Sequence, residues 1–217
     1  MASNSNEKRA VVIAVDGPAA SGKGTIARAL ARHFDLPLMD TGLLYRAVAL
    51  NLWRWGGDPA DEFEALRACG DLGFDPDDPE LRTEPVSAIA SRISVYPTVR
   101  AALLARQQDF ARQEGGAVLD GRDIGTVIAP EADVKLFVTA SPEVRAERRM
   151  KELQARGMHA HSVDVLADIR ARDERDSTRD VAPLKPAEDA IILDTSALDV
   201  DGAIAEAIRL AEQRLAR

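Results

Sequence analysis

The 217-residue chain is 46% hydrophobic and 29% charged, enough apolar material for one substantial core and too little length for two independent domains. Its 36 acidic against 28 basic side chains leave a net charge of −8, which argues against a nucleic-acid coat, whose affinity would rest on surplus Lys and Arg. A single cysteine, Cys69, excludes an intrachain disulfide and a cysteine-spaced metal site, and points to a reducing, cytoplasmic compartment.

Met1 to Arg9 is polar and reads as a tail feeding a strand. Ala10 to Val15 is that strand, a short apolar run stopped by Asp16-Gly17-Pro18, too short for a membrane span or a signal-peptide core. From Thr25 the apolar residues Ile26, Ala29, Leu30 and Phe34 recur at helical spacing, with Arg28 and Arg32 left for the opposite face. Further strands are predicted at Leu36–Met39, Ala117–Leu119, Val134–Val138 and Ala190–Leu193. Ser141-Pro142-Glu143 supplies an N-cap, a proline at the first helical position and a first-turn acid, so a helix should run from there to about Arg156. Strands alternating with helices imply an α/β fold, a mostly parallel sheet covered by helices on both faces. Gly56–Pro85, rich in Gly, Asp and Pro, is expected as a surface insert rather than core.

Gly17, Pro18, Ala19, Ala20, Ser21, Gly22, Lys23, Gly24 and Thr25 contain the pattern G-x-x-x-x-G-K at a strand-to-helix junction. Small residues there let backbone N–H groups and the helix N-terminus close around a triphosphate, and Lys23 brings a mobile charge to the β and γ phosphates. These nine residues are the expected ATP-binding set. The alternative, a glycine turn with a stray lysine, lacks a reason for the flanking strand and helix. Gly24 stands where Ser or Thr follows the lysine in the strict pattern, and the hydroxyl arrives at Thr25; G-K-G-T resembles the version found in nucleoside monophosphate kinases.

Three more segments carry chemistry. Asp40-Thr41-Gly42-Leu43-Leu44-Tyr45-Arg46 follows the second strand and, alone, could be a helix start with a solvated arginine. Asp120-Gly121-Arg122-Asp123 places two acids and an arginine at the carboxyl edge where open α/β sheets bind ligands, although Asp120 could be a turn residue paired with Arg122. Arg170 to Leu184 interleaves four arginines with acids, the pattern of a salt-bridged exposed helix. Together, D-T-G-x-x-Y-R, Ser91 to Arg100, and R-D-x-x-D-x-x-R-x-x-A-P-L from Arg172 resemble bacterial cytidylate kinases, and the resemblance runs from the phosphate loop to Asp194-Thr195.

That resemblance implies a single P-loop kinase domain over 1–217, with an acceptor-binding insert at 41–112 and a lid at 150–180. It implies that Ser91 and Asp123 face the cytosine amino group and Arg100 the ring acceptors, a complementary donor and acceptor set. Arg172 and Asp176 match ribose-contacting positions, Arg46, Arg122 and Arg179 match phosphate-contacting ones, and Thr41 lies beside the acceptor nucleotide. On the donor side, Arg145 and Arg149 are four apart on one helix face, with Arg148 adjacent. Arg149 is the first choice for ATP; Arg145 and Arg148 stay open between ATP contact and a solvated face. Lys23, Arg122, Arg149 and Arg179 are the expected catalytic cations. One departure is Leu72–Leu81, where a short Asp/Pro-rich loop replaces most of the longer insert of other members; it bears on closing motion and base choice, not on the reaction.

The implied reaction is ATP-dependent phosphorylation of CMP, and of dCMP, in pyrimidine nucleotide metabolism, with Mg²⁺. The acceptor phosphate has its second ionisation near about pH 6, so no catalytic base is needed, only alignment and positive charge. Open alternatives are kinases of UMP, AMP or shikimate, and a nucleotide-switched binding protein, which would normally show an N-K-x-D guanine-reading segment that is missing here. Nucleotides are the only expected partners, with no nucleic acid, no membrane and a monomeric chain. No protein metal site is expected from His33, His159 and His161, which have no third ligand at a characteristic spacing, and Cys69 is expected to be a packing residue.

Overall fold

In the computed structural model, residues 10–70 and 72–217 are described, so the expected tail, residues 1–9, lies outside them. Five strands, β1 (Val11–Asp16), β2 (Leu38–Asp40), β3 (Gly116–Gly121), β4 (Val134–Thr139) and β5 (Ile191–Asp194), form one sheet in the order β2-β3-β1-β4-β5. Every neighbouring pair is parallel, with Val11 opposite Gly116 on one side of β1 and Ile13 opposite Val134 on the other. Each predicted apolar run is therefore a strand, and all carboxyl ends open on one edge.

Eight α-helices lie among the described residues: α1 (Lys23–Phe34), α2 (Thr41–Trp55), α3 (Glu62–Arg67), α4 (Glu84–Ile93), α5 (Pro97–Ala111), α6 (Pro142–Ala155), α7 (Ser162–Thr178) and α8 (Val200–Leu215). Strand alternation sends Ile13, Val15, Val118 and Leu136 to one face, where α1 covers them with Ile26 and Leu30 and α8 with Ala203, Ala207 and Ala211. Ala14, Ala117 and Leu119 point to the other face, under Ala111 of α5 and a π-helical turn, Ile124–Ile128. Burial of residues such as Leu30 and Ile13 contributes about 1.5–3 kcal/mol each, which holds the two layers on the sheet.

Helices α2 to α5 surround a second core that includes Leu44, Val48, Leu52, Ile93, Val99 and Leu103. Residues 56–85, expected as surface insert, are corrected here: α3 forms within them, and Ala65 and Leu81 are fully buried in this core. Several of the Asp and Pro residues that read as loop, Asp61, Asp78, Pro79 and Pro85, are helix starts. Asp61 caps α3 by accepting from the Phe63 and Glu64 N–H groups, and Asp78 caps a 3-10 turn, Pro79–Arg82, by accepting from Glu80. Cys69 packs half-buried against this core, and burial pushes its thiol up to about 11. Helices α6 and α7 pair over a small cluster of their own, Ala146, Leu153, Val165 and Ile169. No helix among the described residues is long and apolar enough to cross a membrane.

Candidate active site

The phosphate loop leaves β1 at Asp16. At Gly17 an added Cβ would lie 2.0 Å from the Val138 carbonyl oxygen, so the chain passes β4 at a distance only glycine permits. Gly22, at φ 90, is the N-cap of α1, and the first turn of that helix, Lys23-Gly24-Thr25, carries no acid. The helix therefore presents its first N–H groups and positive end to an anion. Gly24 lets the turn lie close to β3, where an added Cβ would sit 3.1 Å from Asp120 Oδ2. Lys23 Nζ is 2.9 Å from Asp120 Oδ1 at the end of β3. Burial raises the Asp120 carboxyl above its ordinary value, and the Lys23 charge pulls it back.

Asp16 links this loop to the segment after β3. Its buried carboxylate accepts from the Ile124 and Gly125 N–H groups, both at 2.8 Å, and burial pushes it up to about 7 in spite of them. A carboxyl raised in the fold adds stability below its unfolded value, near 3.8, and loses that contribution as pH rises through about 7. Asp16→Asn does not titrate. In thermal unfolding from about pH 4 to 8, the melting temperature of the parent relative to this variant should be highest at the acid end and fall by neutrality; a pH-independent difference would show that Asp16 is not shifted.

A cavity of about 140 Å³ opens beside Lys23 at the carboxyl edge, and all nine residues expected on the acceptor side line it. Helix α2 starts directly from β2: Asp40 Oδ1 accepts from the Gly42 N–H at 3.0 Å, and the Thr41 hydroxyl donates to the Asp120 carbonyl at 2.9 Å. One turn on, Arg46 donates to the Leu81 carbonyl at 2.9 Å and to Ser87 Oγ at 2.6 Å. Arg122 Nε donates to Asp176 Oδ2 at 2.9 Å. Asp123 accepts from Arg100 at 2.5 Å, and Arg179 stands 3.5 Å away. Ser91 Oγ accepts from Arg175 of α7 at 3.3 Å.

The electrostatics favour an anion. Arg172 Nε is buried and has no hydrogen-bond acceptor among the described residues. Burial lowers the Arg172 guanidinium to about 10, and the nearby Arg122 and Arg46 charges add to the shift. Arg46 and Arg179 are lowered too, chiefly by burial. Guanidinium groups that are desolvated and repel one another gain on meeting a phosphate, whose oxygens supply both acceptors and charge.

Arg149 stands apart from this cavity: its guanidinium pairs with Glu84 of α4 and, at 2.6 Å, with Glu152. Arg148, left open as a solvated residue, instead donates to the Ser21 carbonyl at 3.2 Å and to Thr195 Oγ1 at 2.9 Å, bracing the phosphate loop against the end of β5. Arg145 is buried, and not on a solvated face either. Asp16 and Thr195 contribute contacts to which the sequence motifs assigned no role, and Asp120, expected at the carboxyl edge, is the partner of Lys23. All three lie at the carboxyl ends of strands, Asp16 closing β1, Asp120 next to last in β3 and Thr195 just after β5, which was the available signal. His33 is taken up by Glu212 at 2.9 Å, and no group of three or more His, Cys, Asp or Glu side chains is set to hold a metal among the described residues.

Comparison with known proteins agrees with this architecture. A family model described as cytidylate kinase matches residues 13–213. The chain is 57% identical over 208 residues to the cytidylate kinase of Xanthobacter autotrophicus, covering 95% of this chain and 99% of that one. It is 53% identical over 209 residues to the cytidylate kinase of a Caulobacter species, covering 96% and 97%. Among solved structures, an uncharacterized protein from Eubacterium ventriosum gives a TM-score of 0.55 at 16% identity over 94% of this chain and 98% of that chain. A gluconokinase from Sinorhizobium meliloti gives 0.51 at 17% over 94% and 92%. At those identities the likeness speaks for the P-loop kinase fold alone. Matched at more than half of its positions along nearly its whole length, the chain belongs to the cytidylate kinase family.

Proposed function

We propose that the chain transfers the γ-phosphoryl group of ATP to CMP, releasing ADP and CDP, and that dCMP serves as well. In addition to family membership, one observation carries this: buried, mutually repelling arginines, with Arg172 Nε lacking an acceptor among the described residues, lie beside a phosphate loop at the same sheet edge. The bond between the γ-phosphorus and the bridging oxygen breaks, and a CMP phosphate oxygen takes the phosphorus. That oxygen is already anionic at neutral pH, so the protein aligns and neutralises rather than removing a proton.

Residues Gly17 to Thr25 hold the ATP phosphates, and Lys23 turns from Asp120 to the β and γ oxygens. Arg46, Arg122 and Arg179 grip the CMP phosphate, with Arg172 and Asp176 at the ribose and Thr41 alongside. Ser91 and Asp123 read the cytosine amino group, and Arg100, aligned by its bond to Asp123, reads the ring acceptors. Arg149 joins Lys23, Arg122 and Arg179 around the moving phosphoryl group once it leaves Glu84. The Asp120 carboxylate beside the phosphate loop, and the Thr25 hydroxyl once it is released from Arg28 at 3.2 Å, are the hard oxygen groups that would hold Mg²⁺, which would supply positive charge to the triphosphate.

The cavity, at about 140 Å³, is well below the roughly 300–1,000 Å³ of small-molecule sites, so the surrounding segments must part to admit a nucleotide. Contacts spanning the acceptor insert (41–112) and the lid (150–180) hold the closed arrangement, among them Arg175 to Ser91 at 3.3 Å and Arg156 to the Arg82 carbonyl at 3.1 Å. Closure over bound substrates excludes water, the competing acceptor. The single thiol supports a reducing, cytoplasmic setting, and the enzyme is taken as a monomer. ADP release with CMP, dCMP, UMP, AMP and shikimate offered in turn tests the assignment. CMP is expected to rank first; a higher rate with UMP or AMP, or nucleotide binding without ADP release, would reject it.

A further inference from the structure

Arg145, in the first turn of α6, is only 3% exposed and uses its whole guanidinium. Nε donates to the Ala140 carbonyl at 2.8 Å and Nη1 to the Ala19 carbonyl of the phosphate loop at 3.3 Å. Both terminal nitrogens also meet Asp173, Nη1 to Oδ1 at 2.9 Å and Nη2 to Oδ2 at 2.6 Å, a bidentate pair. Asp173 sits on α7, next to Arg172 and three residues before Asp176, both of which line the acceptor cavity. One turn of α7 thus carries the acceptor contacts and, beside them, the carboxylate that holds Arg145.

A second contact follows the same route. Ala20 of the phosphate loop lies at φ 58, a left-handed conformation unfavourable for a residue with a Cβ, and its methyl packs on the cluster between α6 and α7. The donor loop is therefore fastened to the lid helices at Ala19 by a hydrogen bond and at Ala20 by packing.

We propose that the Arg145–Asp173 pair couples the two substrate sites, so that a phosphate loop closed on ATP fixes the turn of α7 that presents Arg172 and Asp176 to CMP. Arg145 and Asp173 are then positioning residues, and the inference rests on the assignment of CMP and ATP made above. A fork-to-carboxylate pair in a packed setting is either made or broken, which gives the two-state element that coupling requires. By linkage, CMP must tighten ATP binding by the same factor.

The test measures CMP binding by calorimetry with and without the β,γ-imido analogue of ATP and Mg²⁺, in the parent, in Asp173→Asn and in the double variant Arg145→Met/Asp173→Leu. The double variant leaves no buried charge unpaired, which guards against simple loss of fold. In the parent, the analogue should tighten CMP binding at least about 5-fold, and in the variants that factor should fall to near one. Folded variants that keep the parental factor, or a parent whose two ligands bind independently, would overturn the coupling. CMP-dependent release of ADP from ATP by the parent is followed separately: its absence would reject the substrate assignment, whereas its presence with unchanged coupling would reject only this link.

Discussion

Lys23→Met is expected to lower CDP formation at saturating ATP and CMP by at least about 100-fold, the loss usual for one donor aimed at developing charge, while leaving CMP affinity near that of the parent. Lys23 stands at the head of α1, where its ammonium reaches Asp120 at 2.9 Å, and its tether allows it to swing to the phosphates of a bound triphosphate. The CMP phosphate has its own arginines, which the substitution leaves in place. Methionine matches the length of the lysine stem and removes the charge alone. Asp120 then loses the cation that pulls its carboxyl down, and it stays protonated to a higher pH. Steady-state kinetics with calorimetry of CMP binding check the split; unchanged turnover would take Lys23 out of the mechanism.

Asp123→Ala should act on selectivity and stability together. The carboxylate is the partner of Arg100 and lies 3.5 Å from Arg179, and all three residues are buried. Removing it leaves two guanidinium groups without their counter-charge, at a cost of about 3–5 kcal/mol, so the melting temperature should fall on the order of 10 °C. Loss of the acceptor for the cytosine amino group should reduce the ratio of kcat/KM for CMP over UMP at least about 10-fold. Arg100 loses its anchor at the same time, so the two base-reading groups fail as a unit. A monophosphate panel beside a melting curve separates the effects: a destabilised variant with parental selectivity would mean that Asp123 only supports Arg100.

The sheet and the phosphate loop were legible because their signals are local. Ile13 to Val15 is buried on both faces and reads as a continuous apolar run, and in β4 the buried Val134, Leu136 and Val138 alternate with the half-buried Lys135 and Phe137. The nine acceptor-side residues were legible through motif resemblance, and spacing alone could not have gathered Ser91 and Arg175, on different helices, to 3.3 Å. Residues 56–85 misled because Asp and Pro serve equally in loops and at helix starts, and only the tertiary burial of Ala65 and Leu81 decides between them. The α6 arginines misled in a similar way. Helical spacing places Arg145 and Arg149 on one face, but a side chain this long finds its partner across elements, and that partner is Asp173 for one and Glu84 for the other.

The central position of β1 has a consequence for biosynthesis. Both neighbours of this strand, β3 and β4, lie far downstream, Val11 pairing with Gly116 and Ile13 with Val134. At roughly 5–20 residues per second, the ribosome needs several seconds more before either partner is made, and until then a hydrophobic N-terminal segment waits without its neighbours. Nascent chains arrested before β3 should accordingly be captured by holdase chaperones, and the capture should end once β4 has emerged.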